Sequence, residues 1–200
     1  MTLSARFKWD RASRGYDFAT RSDEWRYGAA KRRHFASMRG RCLMLAAGTG
    51  HDFRFFPSDL RITAIDISGG MLAQATRPAC DYAGQLDLAQ MDAQALAFAD
   101  ARFDTIASVC TFCSVPDPVR GLRELRRVLA PGGRLLAFEH VRSRLGPLAM
   151  MQDLMTPLAR RVGPDLNRDT LGNMARAGFR ILREENVYLD VVKAIEAIPG

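Results

Sequence analysis

The sequence predicts an α/β domain: a doubly wound, mostly parallel seven-stranded sheet with an antiparallel C-terminal hairpin and a helical N-terminal cap. Three observations lead there. Short apolar runs alternate with helical patterns between residues 41 and 140, as in successive βαβ units. A chain of 200 residues fits one domain or a domain with a small appendage. Its 48% hydrophobic content can fill a core without disulfides or metals. Internal repeats, low-complexity tracts and long linkers are absent.

The first 38 residues read as helical and lie outside the sheet. Arg41 to Leu45 is the first strand. Arg61 to Asp66 is the second, followed by a helix from about Gly70 to Thr76. Gln85 to Met91 is a weaker third strand, and Phe103 to Val109 a fourth. A helix from about Pro118 to Leu129 sets Val119, Leu122, Leu125, Val128 and Leu129 on one face. Ala130-Pro131-Gly132-Gly133 should stop it and turn the chain into a fifth strand, Arg134 to His140. Beyond that the alternation ends. Residues 143 to 166 are amphipathic, with Leu148, Met151, Leu154, Met155, Leu158 and Val162 sharing a face that is expected to be core or lid. Asn167 to Ala177 reads as a helix stopped by Gly178. Arg180 to Val187 and Leu189 to Ile198 form the closing hairpin.

Charge is concentrated at one end. Residues 1–41 carry eleven Lys or Arg against four Asp or Glu, a net of +7, while residues 42–200 carry eighteen of each. Two readings fit: a solvated helix face, or attraction to an anionic surface, membrane or nucleic acid. No run approaches the ~18–20 apolar residues of a membrane span. The segment is charged from Arg6 onward, unlike a secretory signal. Free thiols in a reducing cytoplasm are therefore expected for Cys42, Cys80, Cys110 and Cys113, with peripheral contact to an anionic membrane as the alternative placement.

The first strand runs into small residues, LMLAAGTG at 43–50. In an open parallel sheet a ligand sits beyond the C-terminal strand ends, and Gly48 and Gly50 allow a tight turn and close backbone approach. Asp66 ends the second strand, where a carboxylate can accept from two ribose hydroxyls. Asp92 follows the third strand at the same edge and can accept from an adenine amine, with the Ala93 N–H as donor to the ring. A dinucleotide fingerprint would need glycine at Ala46, Gly48 and His51, and only Gly48 qualifies. The P-loop pattern is missing, and no strongly cationic group follows the turn to hold a pyrophosphate. A ligand without phosphates, such as an adenosyl amino acid, fits better.

These residues resemble the class I S-adenosylmethionine-dependent methyltransferase superfamily, with a methyltransferase type 11 core. GTG at 48–50, AIDIS at 64–68 with Met71-Leu72, MDAQAL at 91–96 and LRELRRVLAPGGRLLAFEH at 122–140 carry the resemblance over about residues 40–140. It implies a Rossmann-like fold, S-adenosyl-L-methionine as cofactor and S-adenosyl-L-homocysteine as product. It assigns cofactor binding to Ala46, Gly48, Gly50, Asp66, Ile67, Met71, Asp92 and Ala93. By it the 46–50 turn approaches the methionine part, Asp66 takes the ribose, and Met71, Asp92 and Ala93 surround the adenine. A narrower likeness, through VCTFCSVPDP (109–118), EHVRS (139–143), MMQDLMTPLARRVG (150–163) and NRDT (167–170), is to a group that includes alkyl thiol methyltransferases. The chain departs from the family at Met44, where Asp or Glu is usual, and at Ala46, where Gly is usual. Both departures bear on cofactor affinity.

The resemblance divides the chain into a lid, residues 1–38, and a methyltransferase domain, 39–200, with 143–166 as an acceptor-side insertion. Methyl transfer from a sulfonium is an in-line displacement that asks for alignment and water exclusion. A thiol, with a reference pKa of ~8.5, needs only a modest positive environment to ionise. His140 and Tyr16 are the candidate catalytic residues. His140 can accept a proton or be a structural histidine, and Tyr16 with Trp9 can close over the methionine part or merely pack the cap. Trp9, Cys110 and Cys113 are candidates for the acceptor pocket. Cys110 and Cys113 form a CxxC without a second pair or a nearby His, so no metal is expected. A nucleic-acid acceptor is disfavoured because the chain has little room for a reading surface. A small apolar acceptor, best a thiol sulfur, is the leading reading. A membrane-borne phospholipid amine or isoprenoid quinone is the second. A cofactor-binding protein without turnover, suggested by Met44 and Ala46, is the third.

Overall fold

The structure, a computed structural model, describes residues 2–20 and 22–200, with the backbone alone for residues 2–5, 14, 18, 19 and 162. Two helices come first, α1 (Thr2–Thr20) and α2 (Asp23–Phe35). Apolar runs then form β1 (Arg41–Leu45) and β2 (Arg61–Asp66) at the expected bounds. A 3₁₀ turn, His51–Phe55, lies between them. α3 (Gly69–Cys80), β3 (Gln85–Gln90), β4 (Phe103–Val109) and α4 (Pro118–Val128) follow, then β5 (Leu129–His140), α5 (Gly146–Val162) and α6 (Thr170–Arg176). β6 (Phe179–Tyr188) and β7 (Val192–Pro199) close the chain as a hairpin.

One sheet holds all seven strands in the order β3-β2-β1-β4-β5-β7-β6. The first five are parallel, and β7 runs antiparallel to both its neighbours, so β6 again points with the rest. Chain order reverses direction between β1 and β4. That switch point opens a crevice beyond the strand C-termini.

Strand alternation sorts β1 onto two cores. Cys42 and Met44 join a layer with Phe53, Phe56 and Phe138, while Leu43 and Leu45 join Leu122, Leu125 and Met174. Tyr27 and Phe35 of α2 are buried in the first layer, so α2 is part of the sheet's covering. α1 instead lies against α3.

Three boundaries differ from expectation. α3 continues through Pro78 to Cys80, where the missing N–H falls in its last turn. The Ala130–Gly133 turn is absorbed into β5: Leu129 pairs with Phe103, and pairing resumes at Arg134 with Thr105, leaving an irregular bulge. Gly132 takes a left-handed φ of 76° there. α6 starts only at Thr170, because Asp169 caps it by accepting from Gly172 N at 3.0 Å.

α5 is turned the opposite way from expectation. The polar Gln152 and Thr156 face inward, while Met151, Leu154, Met155 and Leu158 face solvent. These last four are neither core nor lid.

Candidate cofactor and acceptor site

Three neighbouring parallel strands bring Gly48, Asp66 and Asp92 to one edge. β1 runs into a turn in which Ala46 has a φ of 52° and Gly48 a φ of 57°. Ala47 N donates to Ile65 O at 2.8 Å, stitching this turn to β2. Asp66 holds the turn from the other side. Its Oδ2 accepts from Gly48 N at 2.9 Å and its Oδ1 from Ser68 N at 2.8 Å. Each oxygen keeps a lone pair for a further donor. Burial pushes the Asp66 carboxyl above its usual range, and the backbone donors oppose that shift. Met91 N donates to Asp66 O at 2.9 Å, which carries the chain to Asp92. Asp92 Oδ1 accepts from Gln94 N and Nε2, at 2.9 and 3.0 Å.

Together these groups border a cavity of about 730 Å³, mouth included. Ala46, Gly48, Asp66, Ile67, Met71, Asp92 and Ala93 all line it. Trp9, Tyr16 and Cys110 line it too, beside Thr111, Ser114 and Val115.

Gly50, Cys113 and His140 do not line the cavity, which corrects three expectations. Gly50 has a φ of 81°, and a side chain on it would strike Phe53, Pro78 and the Ala75 backbone. Its lack of a Cβ serves helix packing rather than ligand approach. Cys113 is buried behind the wall, and its thiol hydrogen-bonds Cys110 O at 3.1 Å. His140 ends β5 outside this lining; burial lowers its pKa and the Lys31 charge adds to that shift, while Asp23 opposes it. Tyr16 does reach the cavity, but burial raises its phenol far above the normal value, so it is a donor and not a base. Burial raises the Cys110 thiol well above normal and pushes Cys113 up to about 12. Burial thus disfavours the thiolate at both positions. No metal-binding cluster exists among the described residues.

α1 closes over this edge through three ties. Asp10 Oδ1 accepts from Ser68 Oγ at 2.5 Å and from Gly70 N at 3.0 Å, at the start of α3. Those donors hold its carboxyl below the usual range. Asp17 Oδ1 accepts from Thr49 Oγ1 at 2.6 Å. Lys8 Nζ donates to Arg160 O and Gly163 O at 2.7 and 2.9 Å. The result is an edge-to-face pair, Trp9 and Tyr16, with centroids 6.1 Å apart at the cavity wall.

Sequence reasoning missed two buried charges near the cavity, Lys31 and Glu139. Lys31 donates to Asp52 Oδ1 at 2.7 Å, with its ammonium over the Phe55 and Phe138 rings. Its charge favours the Cys110 thiolate and opposes protonation of His140. Glu139 is fully buried and accepts from Ser108 Oγ, Thr111 N and Phe112 N. It therefore fixes the loop that carries Cys110 and Thr111, and burial pushes its carboxyl up to about 7. One signal was available: the chain has 26 Arg and only three Lys, and all three Lys are engaged internally.

The cavity fits S-adenosylmethionine on its own geometry. Two carboxylates with spare lone pairs stand one strand apart, apolar Ile67, Met71 and Met91 lie near them, and among the described residues neither Lys nor Arg lines the wall. The carboxylates disfavour a phosphate at that end of the strands. The turn is open toward the cavity: a Cβ added at Gly48 would meet only the Tyr16 ring, at 4.0 Å.

A family profile described as a methyltransferase domain matches residues 43–137. The chain carries a class I S-adenosylmethionine-dependent methyltransferase domain. Three curated relatives show how widely such a domain is used. A phosphatidylethanolamine N-methyltransferase of Cereibacter sphaeroides is 31% identical over 132 residues, 65% of each chain. The ubiquinone/menaquinone biosynthesis C-methyltransferase UbiE of Geotalea daltonii is 36% identical, covering 62% of this chain and 57% of its own. The human thiol S-methyltransferase TMT1B is 31% identical, covering 72% and 61%. The chain thus spans under two thirds of the length of these relatives. Among solved structures, a methyltransferase of Thermotoga maritima superposes with a TM-score of 0.74 at 17% identity, over 98% of this chain and 100% of that one. The methyltransferase domain therefore has the common fold, while its acceptor is open.

Proposed function

We propose that the chain transfers the methyl group of S-adenosylmethionine to a small apolar acceptor, with a thiol sulfur as the preferred nucleophile. The observation that carries this is the mixed lining of one cavity. The carboxylates Asp66 and Asp92 share it with Met71, Cys110, Thr111, Ser114 and Val115, which offer no ionised group. When bound, the cofactor supplies a methyl group on a positively charged sulfur with a good leaving group already in place. Asp66 accepts from the ribose hydroxyls, Asp92 and the Ala93 N–H take the adenine edge, and the Ala46–Gly48 turn leaves room for the methionine part. Trp9 and Tyr16 exclude water above the reacting atoms, and Tyr16 donates its hydroxyl proton to a hydrogen bond there.

Beside Cys110 and Thr111 the described lining residues supply no ready base. Tyr16 and Cys110 stay protonated and His140 stands outside, so an acceptor that must lose a strongly held proton is poorly served. A thiol loses its proton readily near neutral pH. The buried ammonium of Lys31 contributes positive potential behind Cys110. Its partner Asp52 reduces that field.

The test is calorimetry with S-adenosylmethionine followed by transfer from the labelled cofactor to an alkyl thiol, to phosphatidylethanolamine vesicles and to a demethylated quinone. Transfer to the thiol, at a rate rising with pH as the thiol ionises, is the expected result. Binding without transfer to any of the three would favour a protein that holds the cofactor without turnover. Preferential transfer to the lipid or the quinone would replace the thiol reading.

A further inference from the structure

α5 is amphipathic in the reverse of the usual sense. Met150, Met151, Leu154, Met155 and Leu158 are 70, 49, 81, 48 and 62% exposed, while Gln152 and Thr156 are only 8 and 2% exposed. The exposed residues follow one another at intervals of three and four, so they form one continuous stripe along the helix. Their orientation is fixed. Gln152 Oε1 accepts from Ser143 N at 2.8 Å, and its Nε2 donates to Val141 O and Leu166 O, both at 2.9 Å. Thr156 Oγ1 donates to Gln152 O at 2.7 Å. Rotating the stripe inward would break all the Gln152 bonds, so the apolar face is committed to the outside.

The charges around the stripe favour one occupant. Arg161 continues the stripe's spacing at its C-terminal end, and no acidic residue shares that spacing. Asp153, at the stripe's edge, is neutralised by Arg142 at 2.8 Å. Lys8 ties α1 to the last turn of α5, and a side chain at Gly163 would meet the Trp9 ring. α1 carries four Lys or Arg against two Asp, a net of +2, and Lys8 anchors it at the end of the apolar stripe. A long apolar stripe flanked by net positive charge is the pattern of a helix lying in the plane of a membrane interface. No helix among the described residues is long and apolar enough to cross a bilayer, so the mode is peripheral.

We propose that the outward face of α5 docks on an anionic lipid surface, with Leu154 and Leu158 entering the acyl boundary and α1 contributing the positive charge. The loop after α5 is joined by Asp165 N donating to Cys113 O at 2.8 Å to the segment behind the cavity wall, next to the lining residue Ser114. Docking would therefore set the cavity close to the interface, where apolar acceptors partition.

The test is flotation of the full chain with vesicles of phosphatidylcholine alone and with added phosphatidylglycerol. It compares the unmodified chain with Leu154→Ser/Leu158→Ser and with Arg161→Glu. The expected result is binding to the mixed vesicles, weakened at least tenfold by the double substitution and to a smaller degree by Arg161→Glu and by salt, with an unchanged melting temperature. The proposal is overturned if the unmodified chain does not float, or if the double variant floats equally well. It is also overturned if light scattering shows a dimer that the double substitution disperses, since the face then belongs to a second copy. All these readouts are independent of methyl transfer, so they stand or fall separately from the acceptor assignment.

Discussion

The cofactor edge and α5 solve opposite problems with the same polar chemistry. At the edge, Asp66 spends half of its acceptor capacity on the backbone N–H groups of Gly48 and Ser68 and leaves the remainder facing a cavity. In α5, Gln152 spends its amide wholly on backbone, and nothing is left for a ligand. A polar side chain whose hydrogen bonds are complete inside the protein is an anchor. One with spare capacity at a cavity wall is a recognition group. The two regions can be separated experimentally on that difference.

Asp66→Ala has the largest expected effect. On the proposed reading it removes two charge-assisted hydrogen bonds to the ribose, and it frees the turn at Gly48. At roughly 1.5–3 kcal/mol per bond, S-adenosylmethionine binding should weaken by about 100-fold or more. Calorimetry measures it, with Asp66→Asn as the conservative comparison. Retention of tight binding would remove the edge from the site.

Gln152→Leu against Leu154→Ser breaks the comparison from the other side. The first leaves the buried Ser143 N–H without a partner and should cost about 2–4 kcal/mol in chemical denaturation. The second changes an outward residue and should stay within about 0.5 kcal/mol. A conventional amphipathic helix would give the reverse ranking. This is where the sequence was least legible. Helical spacing located an apolar face from Met151 to Leu158 but carried no sign, because direction is decided by long-range partners such as Val141 O and Leu166 O.

Elsewhere legibility follows the range of the governing interaction. β1, β2 and β4 end where expected, because each is an apolar run that the sheet buries almost whole. Asp66 and Asp92 were found through their place at strand ends. Gly50 was misassigned because a glycine required by Phe53 and Pro78 looks the same in sequence as one required by a ligand. His140 ends β5 yet does not line the cavity, because a place at a strand end does not by itself bring a side chain to the site. Asp10 and Lys31 act on residues far along the chain, Ser68 and Asp52, and no local pattern announces them.

Glu139 adds a pH axis. Its carboxyl is raised to about 7 by burial, above its unfolded value. Its contribution to stability is therefore complete below the unfolded pKa and is lost as pH rises through 7. At 1.36 kcal/mol per unit, the full swing is at most about 3 kcal/mol. Melting temperatures measured from pH 5 to pH 8 should fall more for the native chain than for Glu139→Gln, which cannot ionise. Parallel curves would mean that the Ser108, Thr111 and Phe112 donors hold the carboxylate ionised throughout.

Ala46→Gly is the finest test. Ala46 holds a left-handed φ of 52° in the turn that borders the cavity. For a non-glycine residue that conformation costs roughly 1–2 kcal/mol. Glycine would relieve it but lose about 0.4–1 kcal/mol through greater freedom of the unfolded chain. A net gain of about 0.5 kcal/mol is expected. Removing the methyl group also widens the turn, so S-adenosylmethionine should bind several-fold more tightly if the side chain narrows the methionine end. If stability rises and affinity does not, Ala46 is strained for the turn's own geometry and leaves the ligand untouched. If both rise together, the methyl group of Ala46 restricts the chain's own cofactor site.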